Sequence, residues 1–159
     1  MKRPKNGFSL IELLIVVAII LIIAATAIPN LLRARMQANE ASAVSSIHAI
    51  NTAELSYFSS FPTVGYAGSL ASLGDGGTSP CPATSAASCY LDATLVSGTK
   101  SGYTFTYTPD STTPAGHYTV NANPVSPGIS GQRSFYSSEA NVTRYNVTTA
   151  ATSVDAPLQ

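Results

Sequence analysis

The 159-residue chain has few charges and few of the residues that usually build catalytic or metal sites. Charged residues make up only 10% of it, and it has two histidines, two cysteines and no tryptophan. So low a charge content is more typical of a protein outside the cell than of a cytosolic one. No serine–histidine–aspartate arrangement, metal-ligand cluster or phosphate-binding glycine loop is evident. The sequence therefore predicts a protein that is not an enzyme and binds no cofactor.

The basic residues are unevenly distributed. Lys2, Arg3 and Lys5 lie in the first seven residues, and the rest of the chain has five basic residues against eight acidic ones, a net charge of −3. No basic patch remains that would bind nucleic acid. The length suits one globular domain attached to one membrane segment.

The longest apolar run lies near the start, between Gly7 and Pro29. Residues 13–25 are apolar without interruption, and the whole segment is long enough to span a bilayer as a helix. Glu12 places a carboxylate where hydrocarbon is expected, which costs on the order of 2.5–3.5 kcal/mol on insertion scales. A cost of this size indicates that Glu12 has a function.

Two ordinary interpretations of this segment are open. A basic start, an apolar core and the small residues Ala25-Thr26-Ala27 are typical of a cleaved secretory signal peptide. Alternatively, the segment stays in place as a signal anchor, and the basic residues hold its start in the cytoplasm. Neither interpretation accounts for Glu12.

A third interpretation comes from a family resemblance. Gly7-Phe8-Ser9-Leu10-Ile11-Glu12, a long apolar run and then Ala27-Ile28-Pro29 resemble the class III signal of type IV pilins and pseudopilins. The resemblance covers roughly residues 1–35. It implies that a prepilin peptidase cuts after Gly7 and methylates the new amino terminus at Phe8. Many relatives carry a glycine in the middle of the apolar run, where this chain has Leu21.

The resemblance also implies an α+β fold of the type IV pilin kind. A long N-terminal helix, whose first half spans the membrane, would pack against a C-terminal antiparallel sheet of three or four strands. The expected parts are a leader (1–7), a transmembrane and polymerisation helix (8–29), the amphipathic second half of that helix (30–60), a variable connector (61–102), the sheet (103–146) and a loose tail (147–159).

Residue patterns beyond Pro29 predict the same order of elements. Apolar residues recur at spacings of three and four, which predicts one helix face: Val44, Ile47, Ile50, Ala53, Tyr57 and Phe61. This helix should end near Ser60. Pro29 removes one backbone hydrogen bond and should kink or locally open the helix. Arg33 and Arg35 are expected at the membrane–water boundary.

The rest of the chain is expected to form the connector and the sheet. Cys81 and Cys89 lie in a connector rich in glycine, serine and alanine, and in an exported chain this predicts a disulfide. Residues 70–73 predict a short helical turn, whereas residues 90–96 suit either a strand or a helix. Alternating aromatic and polar residues predict strands: 103–108, 117–123, 133–137 and 142–146.

The function that the resemblance implies is structural. The subunit would sit in the inner membrane with its C-terminal domain extracytoplasmic, then polymerise with copies of itself into a type IV pilus at the cell surface. Phe8 and Glu12 lie one helical turn apart, so Glu12 can pair with the Phe8 amine of a neighbouring subunit. Pro29 is the third residue expected to act in assembly.

The partners implied are copies of the chain, prepilin peptidase, membrane lipid before assembly, and the inner-membrane pilus or secretion machinery. The filament would serve adhesion, motility, DNA uptake or a related surface function. Two alternatives stay open: a pseudopilin that forms the short periplasmic piston of a type II secretion system, and, more remotely, a signal-anchored extracytoplasmic binding domain.

Overall fold

One long helix and a five-stranded antiparallel sheet form most of the structure. The computed structural model describes residues 9–77, 80–81 and 83–158. Its elements are α1 (Leu10–Ser60), α2 (Leu70–Leu73), α3 (Ala93–Val96), β1 (Thr99–Lys100), β2 (Tyr103–Pro109), β3 (Tyr118–Pro124), β4 (Ser134–Ser138) and β5 (Arg144–Asn146). The predicted α+β fold is confirmed.

The chain divides into two compact units, Met1–Arg35 and Met36–Gln159, and α1 contributes to both. Helix α1 ends at Ser60, as predicted. Residues 10–60 are helical without a break, so the local opening predicted at Pro29 is not present. The predicted leader and Phe8 lie outside the described residues.

The apolar stripe predicted for the second half of α1 is the face that the helix buries. Ile47, Ile50, Ala53 and Tyr57 are buried, and all belong to one core cluster in the second unit. The outer members of the stripe, Val44 and Phe61, are partly buried against the same cluster. Because a fully buried large apolar side chain contributes about 1.5–3 kcal/mol, this face binds α1 firmly to the sheet.

The sheet is a simple meander in which each strand pairs antiparallel with the next in the chain, in the order β1-β2-β3-β4-β5. Alternate residues of β2 face the core, so Tyr103 and Phe105 are buried while Thr104 and Thr106 are exposed. This is the period-2 pattern of a strand with one covered face. Phe135 of β4 joins the same core.

The sheet has five strands because a short strand precedes those that the sequence predicted. Thr99 and Lys100 pair with Thr104 and Tyr103 across a two-residue turn. Ser101 and Gly102 of this turn both have positive φ, 50° and 74°. That is the backbone geometry of the tight hairpin turns that match strand twist. The sheet therefore begins within the stretch that the sequence assigned to the connector.

The connector carries the two short helices and the disulfide. Leu70 and Leu73 of α2 are buried, which confirms the predicted docked turn. Residues 93–96 form helix rather than strand, because the side chain of Asp92 accepts a hydrogen bond from the backbone N–H of Leu95 and caps α3. Cys81 and Cys89 form the predicted disulfide.

Removal of the disulfide should destabilise the second unit. The bond closes a loop with a sequence separation of 8 residues. Because it reduces the entropy of the unfolded chain, a loop of that size stabilises the folded state by about 2–3 kcal/mol. We expect the double variant Cys81→Ala/Cys89→Ala to lose that much free energy of unfolding. Chemical denaturation of the full chain in detergent checks this, and the reduced wild-type chain is the matched control. An unchanged denaturation midpoint in both would contradict the prediction.

The C-terminal residues lie along β5, whereas the sequence indicated a loose tail. The backbone N–H of Tyr145 donates to Ala156, and that of Leu158 donates to Thr143 at 2.8 Å. Ala151 is buried, and Leu158 packs against the core. The sequence pattern missed these contacts because the tail is held by isolated backbone bonds rather than by a periodic apolar face.

Candidate functional site

In the described part of the first unit, residues 10–35 are helix, and their large apolar side chains are exposed on every side. From Leu10 to Leu32, the large aliphatic residues keep 45–81% of their surface accessible. Soluble monomers rarely expose so large a contiguous apolar surface. α1 is also the helix, within the described residues, that is long and apolar enough to cross a membrane. Lipid or other protein chains must cover this surface.

Glu12 lies in the first turn of α1 and contacts the residue that precedes the helix. Its Oε2 accepts a hydrogen bond from the backbone N–H of Ser9 at 3.0 Å. The carbonyl of Ser9 in turn accepts from the N–H groups of Glu12 and Leu13. This is the glutamate half of a capping box, in which a residue at the third helical position satisfies a backbone donor at the helix start.

The capping role of Glu12 was not among the predictions, although the sequence carries a signal for it. A serine followed three residues later by glutamate, just before an apolar run, is the usual signature of a capping box. The Glu12 carboxylate therefore has a local partner before any other chain approaches. It also sits at the positive end of the helix dipole, which favours an anion.

The other residues singled out in the first unit lie on the same helix. Leu21 and Pro29 are both within continuous helical geometry. Just before the proline, the hydroxyl of Thr26 donates to the carbonyl of Ile23 at 3.0 Å. Arg33 and Arg35 are exposed at the end of this unit, where charged side chains would meet water.

Two glutamates on the second half of α1 are buried in the second unit, and Glu40 is fully paired. Its Oε1 accepts from the backbone N–H groups of Gln132 and Arg133, and its Oε2 accepts from Nε of Arg133 at 2.8 Å. Burial alone would raise the pKa of Glu40, but these hydrogen bonds and the Arg133 charge hold the pKa below its ordinary value.

Glu54 has the opposite environment. Its side chain is fully buried, and Oε2 accepts a hydrogen bond from the backbone N–H of Ala67 at 3.0 Å. Its Oε1 has no hydrogen-bond partner among the described residues. Burial raises the pKa of Glu54 to about 6, and the hydrogen bond from Ala67 only partly offsets this. Burial also raises the pKa values of Tyr107 and Tyr118, and the nearby Glu54 carboxylate adds to that rise.

Neither glutamate forms a reactive constellation. In the part of the chain that the structure describes, no three histidine, cysteine, aspartate or glutamate side chains converge closely enough to hold a metal ion. Glu40 and Glu54 instead connect α1 to the sheet and to the connector. The features that most resemble a functional site are therefore the apolar helix and Glu12 of the first unit.

Comparison with known proteins finds a known motif within the first unit. Residues 2–28 match the family model described as the prokaryotic N-terminal methylation motif. The chain carries this methylation motif. The match spans the Gly7–Phe8 junction, Glu12 and nearly all of the exposed apolar surface, so the predicted resemblance to type IV pilins is confirmed.

Two type IV pilus proteins are similar to parts of the chain. The type IV major pilin protein PilA of Myxococcus xanthus is 49% identical over 58 residues, which are 36% of this chain and 26% of that protein. The type IV wide pilus major component PilA4 of Thermus thermophilus is 66% identical over 38 residues, 24% of this chain and 29% of that protein. The chain thus spans between a quarter and a third of these relatives. No solved structure matches the chain.

The methylation motif and the geometry of the first unit concern the same residues. The motif ends at residue 28, one residue before Pro29 and within the exposed apolar part of α1. Helix α1 continues beyond the motif and becomes amphipathic where it meets the sheet. Residues 10–28 of the motif therefore form the first part of a longer helix, α1.

Proposed function

We propose that this chain is a type IV pilin, a structural subunit that is processed at its N-terminus and polymerises into a surface filament. Prepilin peptidase cuts after Gly7 and methylates Phe8. The apolar segment from Phe8 to Pro29 then holds the subunit in the inner membrane, and the second unit remains extracytoplasmic. Filaments made of its copies serve a surface function such as adhesion, motility or DNA uptake.

The observation that carries this proposal is the coincidence of the methylation motif with a helix that exposes apolar side chains on all sides. A helix of this kind has two stable surroundings, a lipid bilayer and a bundle of similar helices. Transfer from one to the other keeps the side chains in an apolar medium. The free-energy difference is therefore small enough for assembly to be reversible.

Glu12 sets the axial register of neighbouring helices in the filament. Cleavage creates an amine at Phe8, four residues before Glu12. A neighbouring helix staggered along the filament axis can place that amine against the Glu12 carboxylate. Each charge is costly in an apolar medium without a partner, whereas the pair is tolerated. One axial offset is favoured because other offsets leave both charges unpaired.

The experiment that tests the proposal is intact mass measurement of the chain purified from its host membrane and from sheared surface fractions. We expect a chain that begins at Phe8 and carries one methyl group, in both fractions. A strain without prepilin peptidase is the control and should yield the chain beginning at Met1. A wild-type chain that begins at Ile28, or one that keeps Met1, would contradict the proposal.

The shearing experiment also distinguishes a pilus from a short periplasmic structure. Long filaments that contain this chain should be released from intact cells. If the processed chain is confined to the periplasm and never reaches the sheared fraction, it acts as a pseudopilin instead.

A further inference from the structure

A groove lined mostly by polar residue types lies on the outer face of the sheet, away from the core of the second unit. Its cavity volume is about 480 Å³. Eight residues line it: Thr106, Asn121, Asn123, Tyr136, Ala150, Ala151, Thr152 and Ser153. Pockets that take small molecules usually have volumes of about 300–1,000 Å³. The groove is thus large enough for a sugar of one or two rings.

The floor of the groove is a row of polar side chains fixed by strand register. Thr106 of β2 pairs with Asn121 of β3, and Asn121 pairs with Tyr136 of β4. Residues directly opposite each other in a sheet share a face. Asn123 lies two residues beyond Asn121 and so faces the same way. A rigid sheet therefore presents a hydroxyl, two amides and an aromatic ring side by side.

The wall of the groove is the C-terminal segment, and several hydrogen bonds hold it in place. Nδ2 of Asn121 donates to the carbonyl of Ala151 at 2.7 Å. Oδ2 of Asp155 accepts from both the backbone N–H and the hydroxyl of Thr152. Asp155 is itself held by Asn146. The groove is therefore formed before any ligand arrives, which lowers the entropy lost on binding.

The polar groups of the groove are largely unused within the described part of the chain. Oδ1 of Asn123 is occluded from solvent and has no hydrogen-bond partner there. Thr106, Tyr136 and Ser153 use no side-chain hydroxyl to bond another described residue. A buried polar atom without a partner is uncommon. The hydroxyls of Thr106, Tyr136 and Ser153 offer donors and acceptors to a ligand rich in hydroxyls.

Among the residues that the structure describes, no charged side chain lines the groove. Arg144 continues the same row on β5, but its guanidinium donates to the backbone oxygen of Asp155 at 2.6 Å. The lining therefore favours neither a negatively charged nor a positively charged ligand. The floor of the groove lies on a sheet face rather than at an edge, so it offers no free strand edge for pairing with a peptide strand.

From this geometry we propose that the groove binds a neutral saccharide. Amide and hydroxyl side chains bond the sugar hydroxyls, and the half-buried ring of Tyr136 packs against the apolar face of the sugar ring. The site depends on the second unit alone and does not require that the chain forms a filament.

Binding can be tested on the full isotope-labelled chain in a zwitterionic detergent that has no sugar headgroup. The probes are the methyl glycosides of glucose, galactose, mannose and N-acetylglucosamine, added one at a time. We expect at least one of them to cause saturable chemical-shift changes confined to residues 106, 121, 123, 136 and 150–153. No saturable change with any probe, or changes spread elsewhere, would overturn the proposal.

Variants then separate the groove from its surroundings. Tyr136→Ala and Thr106→Val should each weaken binding about tenfold, the loss that corresponds to about one good contact. Thr108→Val is the matched control, since Thr108 is exposed on the same face of the same strand but outside the groove, and its affinity should match wild type. Equal affinity of all three variants, or stronger shifts with inorganic phosphate than with any sugar, would overturn the assignment.

Discussion

Cells that produce only the Glu12→Gln chain should process it normally and yield about a hundredfold less filament than wild type. The charge is removed while the side chain keeps an oxygen that can accept from the Ser9 N–H, because glutamine serves in capping boxes as glutamate does. An apolar interface would then bury the Phe8 amine without a counter-charge, which costs about 3–5 kcal/mol. Electron microscopy and immunoblots of sheared fractions measure the loss.

Two further variants separate the roles of Glu12. Glu12→Ala removes both the charge and the cap, so its filament yield should fall at least as far as that of Glu12→Gln. Thr26→Ala is the matched control within the same helix, because it loses a polar contact that stays inside one chain, and it should assemble normally. Normal filaments from Glu12→Gln together with failure of Glu12→Ala would show that Glu12 acts as a helix cap and not as a register charge.

Glu54→Gln should stabilise the second unit by roughly 2 kcal/mol above pH 6, the amount that corresponds to the pKa shift of Glu54. The native pKa of about 6 lies above the ordinary value of 4.5, so the unfolded chain releases this proton at lower pH than the native chain. Stability conferred by Glu54 is therefore complete below pH 4.5 and is lost as pH rises towards 6. Glutamine stays neutral throughout, so the difference from wild type should grow across that window and level off above it.

Glu40, on the same helix, provides a control for which the expected change in stability has the opposite sign. Its pKa is lowered, so its contribution is present above the ordinary value of 4.5 and is lost as pH falls through the native pKa. Glu40→Gln should therefore destabilise the unit by about 1.5–3 kcal/mol above pH 4.5, the usual contribution of hydrogen bonds to a charged group.

Urea denaturation in detergent, repeated across the pH range, measures the free energy of unfolding of wild type and of both variants. The difference between each variant and wild type is then plotted against pH. Subtraction removes the contributions of all other titrating groups. A Glu54→Gln difference that does not change with pH would mean that Glu54 does not titrate between the two pKa values.

The long helix and most strands could be predicted because each follows a local period. The stripe from Val44 to Phe61 repeats at helical spacing, and its members are buried or partly buried. The alternation of β2 likewise matches its burial. β1 was missed because two residues are too few to display a period, and the positive φ values of Ser101 and Gly102 that create its turn depend on the whole hairpin.

The processing and assembly residues are a different case, since a motif rather than a period indicated them. The methylation motif covers Gly7, Phe8 and Glu12, and their roles in cleavage, methylation and register remain proposals. The structure adds the contact between Glu12 and Ser9, which gives Glu12 a local partner. The assembly test therefore needs glutamine as well as alanine.

The sequence by itself determined the apolar N-terminal helix, the order of elements and the cysteine pair, because these depend on composition and on residues close together in the chain. Only the tertiary structure decided that Glu40 is paired with Arg133 and that the tail forms the wall of a groove on the sheet. It also decided that Glu54 is buried with one oxygen that no described residue bonds. These features join residues far apart in sequence, such as Glu40 and Arg133 with a separation of 93. The pKa values of the two glutamates and the hydrogen bonds that they accept depend on burial. These side chains become buried only when the helix and the sheet pack together.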